Sequence, residues 1–317
     1  MAGEDTLVGQ TVCIAGGSRG LGRIMAVDVA KRGASVVILA RNPKPLQEAK
    51  GEIMTARLSE EQTVHTISRS RCCEEDKNRN AMSEHNATPD LLICSVGGTT
   101  PDQIGFLADL APESLATCFS SNYHASLFIT QWCVQRWVQQ PDPSRTRRLV
   151  YIASGAAFVA LPGYTAYTPP KTAVRALADT LRQELLLYGD ESMYRVHIAF
   201  PGAFITDSFM LEQATKPELL KNMEGSNYSD TEELLKNIQS AEDIAAKIFR
   251  GMRKGRYIIT TDVTTDLTLN NMRGPSPRDS TLYDVFMSFV GSLAFPFVRR
   301  RFDRMTVQYG RDKSLRK

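Results

Sequence analysis

Short apolar runs recur along the first two thirds of the chain, at residues 11–14, 34–40, 63–67, 90–98, 149–153 and 196–200. Each is four to nine residues long, rich in Val, Ile and Leu, and apolar on both alternating faces, as expected of strands buried in a parallel sheet. Between them, apolar residues fall three or four apart. Ile24, Met25, Val27, Val29 and Ala30 mark a helix that Gly33 ends. Residues 43–58, 72–86, 112–140 and 173–188 predict further helices, with Pro141-Asp142-Pro143 stopping the longest. Strand and helix in strict alternation define an α/β fold with a doubly wound parallel sheet of the Rossmann-like kind.

In such a sheet ligands bind beyond the C-terminal ends of the strands. Gly16, Gly97, Ser154 and Pro201 all fall on that edge. The first strand runs into Ala15-Gly16-Gly17-Ser18-Arg19-Gly20-Leu21-Gly22 and then a helix. Glycines let backbone approach a pyrophosphate, and a helix N-terminus offers free N–H groups to its charge. Gly16, Ser18, Arg19, Gly20 and Leu21 are therefore expected to bind a dinucleotide. An enzyme reading a free ribose 2′-OH carries an acid near the end of the second strand. Here that strand ends in Arg41-Asn42. Arg41, helped by Arg19, is suited to a 2′-phosphate, so the expected cofactor is NADPH.

Composition narrows the picture. The 317 residues are 42% hydrophobic with a net charge of +3, which fits a large globular domain. No basic stripe with interleaved aromatics is present, so a nucleic-acid partner is not expected. Cys13, Cys72, Cys73, Cys94, Cys118 and Cys133 show neither metal-ligand nor disulfide spacing, and the four histidines are scattered. A reducing compartment and no metal are the expectation, and the opening residues show no secretory pattern.

The remaining chemistry sits in Tyr167-Thr168-Pro169-Pro170-Lys171, thirteen positions after Ser154. A lysine held near a phenol stabilises its phenolate and suits it to proton transfer. Taken alone, the spacing recurs by chance. The two prolines fit only the first turn of a helix, where no N–H bond is lost, so Tyr167 is expected at a helix start.

Gly16, Gly20 and Gly22, then Asn122, Ser154, Tyr167, Lys171, Pro201-Gly202 and Thr206 together resemble the short-chain dehydrogenase/reductase superfamily over roughly residues 8 to 262. The segments Phe204 to Phe209, Glu212, Lys216-Pro217, Glu224-Gly225 and Tyr257 to Asp262 resemble, more narrowly, the fungal 3-ketodihydrosphingosine reductases. The resemblance implies four catalytic residues: Tyr167 as proton donor to the ketone, Lys171 as its tuning cation and ribose contact, Ser154 as the carbonyl's hydrogen-bond donor, and Asn122 as holder of a relay water. Pro201, Gly202 and Thr206 would contact the nicotinamide, and Gly97 would line the cofactor site. It further implies a long-chain keto-amine lipid as substrate, a homo-oligomer, and the cytosolic face of the endoplasmic reticulum membrane. Ala15, Cys94-Ser95-Val96-Gly97 and Ser68-Arg69-Ser70-Arg71 depart from the superfamily pattern, which leaves the adenine contact unassigned and the tying of the fourth strand open.

Residues 1–265 are expected to form the catalytic domain, with 203–240 as a lid whose Phe204, Phe209, Met210 and Leu211 face an acyl chain. Residues 266–317 form a tail. Its apolar run at 285–298 is short of the roughly 20 residues that span a bilayer, contains Gly291 and Pro296, and is followed by Arg299, Arg300, Arg301 and Arg304. An interfacial or re-entrant anchor is expected; a helix packed on the domain or on a partner subunit is the alternative. Other apolar ketones, such as a steroid or a retinal-like substrate, remain open, as does a non-catalytic NADPH-binding sensor or scaffold.

Overall fold

The computed structural model describes residues 6–68, 88–228, 230–272 and 278–315. The helix expected at 72–86, and most of the segment after the third strand, lie outside the described residues.

Seven strands form one parallel sheet among the described residues: β1 (Thr11–Ala15), β2 (Ser35–Ala40), β3 (Val64–Ser68), β4 (Leu91–Cys94), β5 (Arg147–Ile152), β6 (Tyr194–Phe200) and β9 (Ile258–Thr260). Their spatial order is β3-β2-β1-β4-β5-β6-β9, and every neighbouring pair is parallel. The six expected strands are present, with helices between them wherever the residues are described. β9 was not expected, because a strand of three residues is too short to show a period.

Alternate residues of each strand feed two cores, as a two-residue period requires. Cys13, Leu92, Cys94, Leu149 and Tyr151 pack on one face with Trp132, Cys133 and Trp137 of α4 (Ala125–Gln139) and Val174, Ala178 and Leu181 of α5 (Thr168–Leu185). Val12, Ile14, Leu91, Ile93 and Val150 pack on the other with α1 (Gly20–Lys31), α2 (Pro43–Ala56) and α9 (Ala241–Arg253). β4 is tied at its start by Asp90, whose carboxylate accepts from Thr11 N at 2.8 Å and pairs with Arg145 and Arg147. At its end, Ser95 N donates to Ala15 O at 2.9 Å. Backbone and ion-pair contacts thus tie the fourth strand, which the departure at Cys94 to Gly97 had left open.

The helix expected over 112–140 is not uniform. α3 (Pro112–Phe119) passes through a π turn at Ser120–His124 before α4 begins. Such a bulge adds a residue to one turn and often marks a functional position; Asn122 lies within it.

The segment expected to be a lid holds β7 (Phe204–Ile205), α6 (Asp207–Thr215), α7 (Glu218–Glu224), α8 (Thr231–Asn237) and β8 (Gln239–Ser240), with β7 and β8 paired in parallel. α10 (Val263–Met272) follows β9 and buries Leu269 in the core.

The tail differs from expectation. Instead of a broken run of 14 residues, a single helix α11 (Thr281–Leu315) continues through Pro296. Its neighbours hold it despite the lost N–H bond. Tyr283 OH donates to Asp266 at 2.7 Å, Ser288 Oγ donates to Asn270 O at 2.6 Å, and the Tyr309 ring lies 5.8 Å from that of Phe106.

Candidate active site

β1, β4, β5 and β6 all end at one cavity of about 1640 Å³. Drug-sized ligands usually occupy about 300–1,000 Å³, so this space suits a dinucleotide together with a second molecule. Its walls include Gly16, Ser18, Arg19, Gly20, Leu21, Arg41, Gly97, Ser154, Tyr167, Lys171, Pro201, Gly202 and Thr206. Every sequence-predicted site residue except Asn122 is therefore brought to one surface.

The glycine turn fits a dinucleotide's phosphates. A Cβ at Gly22 would meet Gly16 O at 2.3 Å, so helix and turn pack at a distance only glycine allows. The N-cap residue of α1, Arg19, makes no side-chain cap bond, leaving the first N–H groups of the helix to a ligand. Arg41 lies past the end of β2 and is exposed to the cavity, and neither it nor Arg19 has an ion-pair partner among the described residues.

Tyr167 is the N-cap of α5, with Pro169 and Pro170 in the first turn, so the expected late start of this helix is what the structure shows. One helical turn on, Lys171 is buried, its Nζ 5.6 Å from the Tyr167 ring and donating to Ile152 O at 3.1 Å. Burial pulls the Lys171 pKa down to about 8, with the nearby Cys118 opposing.

The phenol behaves differently from the expectation that a lysine lowers its pKa. Burial pushes Tyr167 well above the ordinary phenol value; a hydrogen bond with Ser154 opposes this, and Glu212, Cys118 and Glu224 add to it. Part of the ring still faces the cavity. Desolvation of the phenolate is the largest of these causes.

Asn122 does not line the cavity. It is fully buried, its Oδ1 accepting from Gly98 N at 2.9 Å and its Nδ2 donating to Gly98 O at 2.8 Å and Cys118 O at 2.9 Å. Its carboxamide thus fixes the backbone after β4. A Cβ at Gly97, where φ is +105°, would strike Asn122 Oδ1 at 2.1 Å. The role these contacts display for the side chain is positioning of the Gly97–Gly98 backbone.

The structure adds a group that pattern reading left without a role. Glu212 on α6 and Glu224 at the end of α7 converge on Lys216 and Tyr164. Lys216 Nζ lies 2.9 Å from Glu212 and 2.5 Å from Glu224, its side chain fully buried. Tyr164 OH donates to Glu212, and lies 3.1 Å from Glu224. Tyr164 and Tyr167 sit with ring centroids 5.3 Å apart. Their separation in sequence, 48 and 60 positions for the two tyrosine–glutamate pairs, hid the cluster. Phe295, Val298, Arg299 and Phe302 of α11 also line the cavity, which no periodicity in the tail reveals.

A parallel sheet ending in a glycine turn, with serine, tyrosine and lysine on one cavity wall, is the arrangement of an oxidoreductase that uses a nicotinamide cofactor. Residues 10–217 match the family described as short chain dehydrogenase, and the chain belongs to that family.

Among its relatives, a PIGF/3-ketodihydrosphingosine reductase fusion protein of Schizosaccharomyces pombe is 32% identical over 96% of this chain, which spans 58% of the fusion. A 3-ketodihydrosphingosine reductase of Aspergillus fumigatus is 30% identical over 90% of this chain and 81% of its own length. Another, of Yarrowia lipolytica, is 32% identical over 92% and 76%. A short-chain type dehydrogenase/reductase from Mycobacterium ulcerans shares the fold with a TM-score of 0.65 at 21% identity, over 82% of this chain and 91% of that one.

Proposed function

We propose that this enzyme reduces 3-ketodihydrosphingosine to dihydrosphingosine with NADPH. The observation that carries the reading is the meeting of Ser154, Tyr167 and Lys171 on a cavity that the apolar residues Phe295, Val298 and Phe302 of α11 also line. The curated relatives' names and their coverage of the chain point to the same substrate.

The bound reduced nicotinamide supplies the hydride. The chain's own residues do the rest. Ser154 donates a hydrogen bond to the carbonyl oxygen and orients it. Tyr167 delivers its proton to that oxygen as negative charge develops there, and burial keeps the phenol protonated until then. Lys171 sets a positive charge beside the phenolate that remains. Asn122 holds Gly97 and Gly98 in the shape that closes the cofactor wall. Preference for NADPH is supported by Arg41 and Arg19 on the cavity wall and by the absence of an acid at the end of β2.

Residues 203–240 act as the cover of the substrate half, since Phe204, Phe209 and Leu211 line the cavity, although Met210 does not. Thr281–Tyr309 is long and apolar enough to cross a membrane by length and composition. Leu282, Phe286, Phe289, Leu293 and Phe297 are exposed on it, and Arg299, Arg300 and Arg301 follow. This supports an attachment to an anionic leaflet, in our reading the cytosolic face of the endoplasmic reticulum. A lipid held there would reach the cavity along α11.

The test is loss of NADPH absorbance on mixing purified protein with 3-ketodihydrosphingosine. Turnover with that lipid is expected. Turnover of steroid ketones without turnover of the lipid would overturn the reading.

A further inference from the structure

A ketone reductase needs only a proton donor, a hydride and a hydrogen bond at the carbonyl. The carboxylates of Glu212 and Glu224 are none of these, yet both line the cavity, and both act through space on the Tyr167 phenol. We propose that they form a subsite for a cationic amine on the carbon next to the reacting carbonyl. The proposal rests on the reductase reading above and deepens it.

The charge count within the cluster comes first. Two carboxylates face one ammonium, that of Lys216, which bridges them at 2.9 and 2.5 Å. Lys171 and Arg299 line the same cavity but bond elsewhere, to Ile152 O and Asp303. Within the cluster, one negative charge is therefore left over where solvent is scarce: the side chains of Glu212 and Glu224 are 16% and 17% exposed, and that of Lys216 is 0% exposed. Uncompensated charge in such a place is costly. A monocationic ligand balances it, and a neutral or anionic ligand does not.

Bonding capacity comes second. A carboxylate has about four acceptor positions. Glu212 accepts from Tyr164, Lys216 and Thr99, the last at 3.0 Å. Glu224 accepts from Lys216 and Ser226, the last also at 3.0 Å, and lies 3.1 Å from the Tyr164 hydroxyl, whose one proton goes to Glu212. Glu212 therefore keeps about one position open and Glu224 about two.

Location comes third. Tyr164 donates its hydroxyl to the cluster and places its ring 5.3 Å from that of Tyr167, and both carboxylates lie near enough to act on the Tyr167 phenol, so the open acceptors share the cavity wall with the proton donor. Lys216 cannot fill this place for an incoming amine. Its ammonium is fixed over the rings of Phe209, at 4.9 Å, and Tyr164, at 5.5 Å.

The cluster would thus select a free amine over its acylated or deaminated counterparts.

The test needs three ketones and the intact chain: 3-ketodihydrosphingosine, its N-acetyl derivative, and 1-hydroxyoctadecan-3-one, which lacks the nitrogen. The wild-type kcat/KM for the free amine is expected to exceed that for either neutral ketone by about 100-fold, the worth of a well-placed charged pair. Glu212→Gln and Glu224→Gln are each expected to shrink that preference by at least about tenfold, with the loss appearing mainly in KM and with NADPH binding retained as a check of folding. Equal rates on all three ketones by the wild type would overturn the subsite and leave the reductase reading standing, and this holds even if neither variant folds. Parallel loss on charged and neutral ketones in the variants would make the cluster a structural tie only. Turnover of none of the three would remove the reductase reading and the subsite with it.

Discussion

Tyr167 and His197 show burial acting on two titratable groups with opposite consequences for the enzyme. For Tyr167, desolvation disfavours the phenolate and keeps a proton available for reduction. Tyr167→Phe is expected to lower turnover by at least about a thousandfold, the usual scale for a positioned acid, while NADPH binding, followed by fluorescence, stays within about twofold. His197 lies in β6, with Nδ1 2.6 Å from Arg256 O and no partner for Nε2 among the described residues. Burial pulls its pKa from 6.5 down to about 4. Between those values the unfolded chain binds a proton that the folded chain refuses, so stability falls as pH drops through that window. The full loss is on the order of 3 kcal/mol. Urea unfolding at pH 7.5 and pH 5 should show it, and His197→Leu should flatten the difference. The phosphate reading is local as well. Arg41→Asp is expected to move the NADPH/NADH preference at least about tenfold toward NADH, measured as a kcat/KM ratio, and an unchanged ratio would remove Arg41 from that role.

The α3–α4 pair illustrates how an element's irregularity serves the site. A regular helix over 112–140 would carry Asn122 in register with its neighbours. The π turn instead presents its carboxamide to both backbone groups of Gly98. Gly97→Ala meets that carboxamide at 2.1 Å and a φ of +105°, so it is strained on two counts. The expected outcome is a fall in stability of about 1–3 kcal/mol and a larger loss in cofactor affinity than in far-ultraviolet circular dichroism. α5 is the converse case. Its prolines fall where a helix has no N–H bond to lose, and the first turn can hold Tyr167 at the cavity without weakening the helix.

The whole molecule joins an α/β body to a helix whose two faces do different things. Phe295, Val298 and Phe302 complete the cavity, while Leu282, Phe286, Phe289, Leu293 and Phe297 stay exposed. Exposed apolar area of this extent points to a membrane or a partner. Truncation after Asp279 is expected to shift the protein from the membrane pellet to the supernatant and to raise KM for the long-chain ketone. Retention in the pellet would show that α11 is not the anchor.

The alternation of strands and helices and the glycine turn were legible in the chain because each depends on neighbours a few residues away: periodicity, cap chemistry and a turn's need for glycine. Ser154, Tyr167 and Lys171 were singled out by their order and spacing within a family resemblance, not by local pattern. Placing Tyr167 at a helix start needed nothing beyond its two prolines. β9 was too short to announce itself, and the run of α11 through Pro296 is held by contacts with α10 and Phe106 that no local pattern encodes. Asn122 was singled out, but not its bonding, because its partner is backbone 24 positions earlier. The Tyr167–Lys171 spacing predicted a lowered phenol pKa. Folding reversed the sign, because desolvation belongs to the packed interior and not to any pair of residues. The same reason kept the Glu212–Lys216–Glu224 cluster silent: a net charge in a cavity exists only once distant segments enclose it.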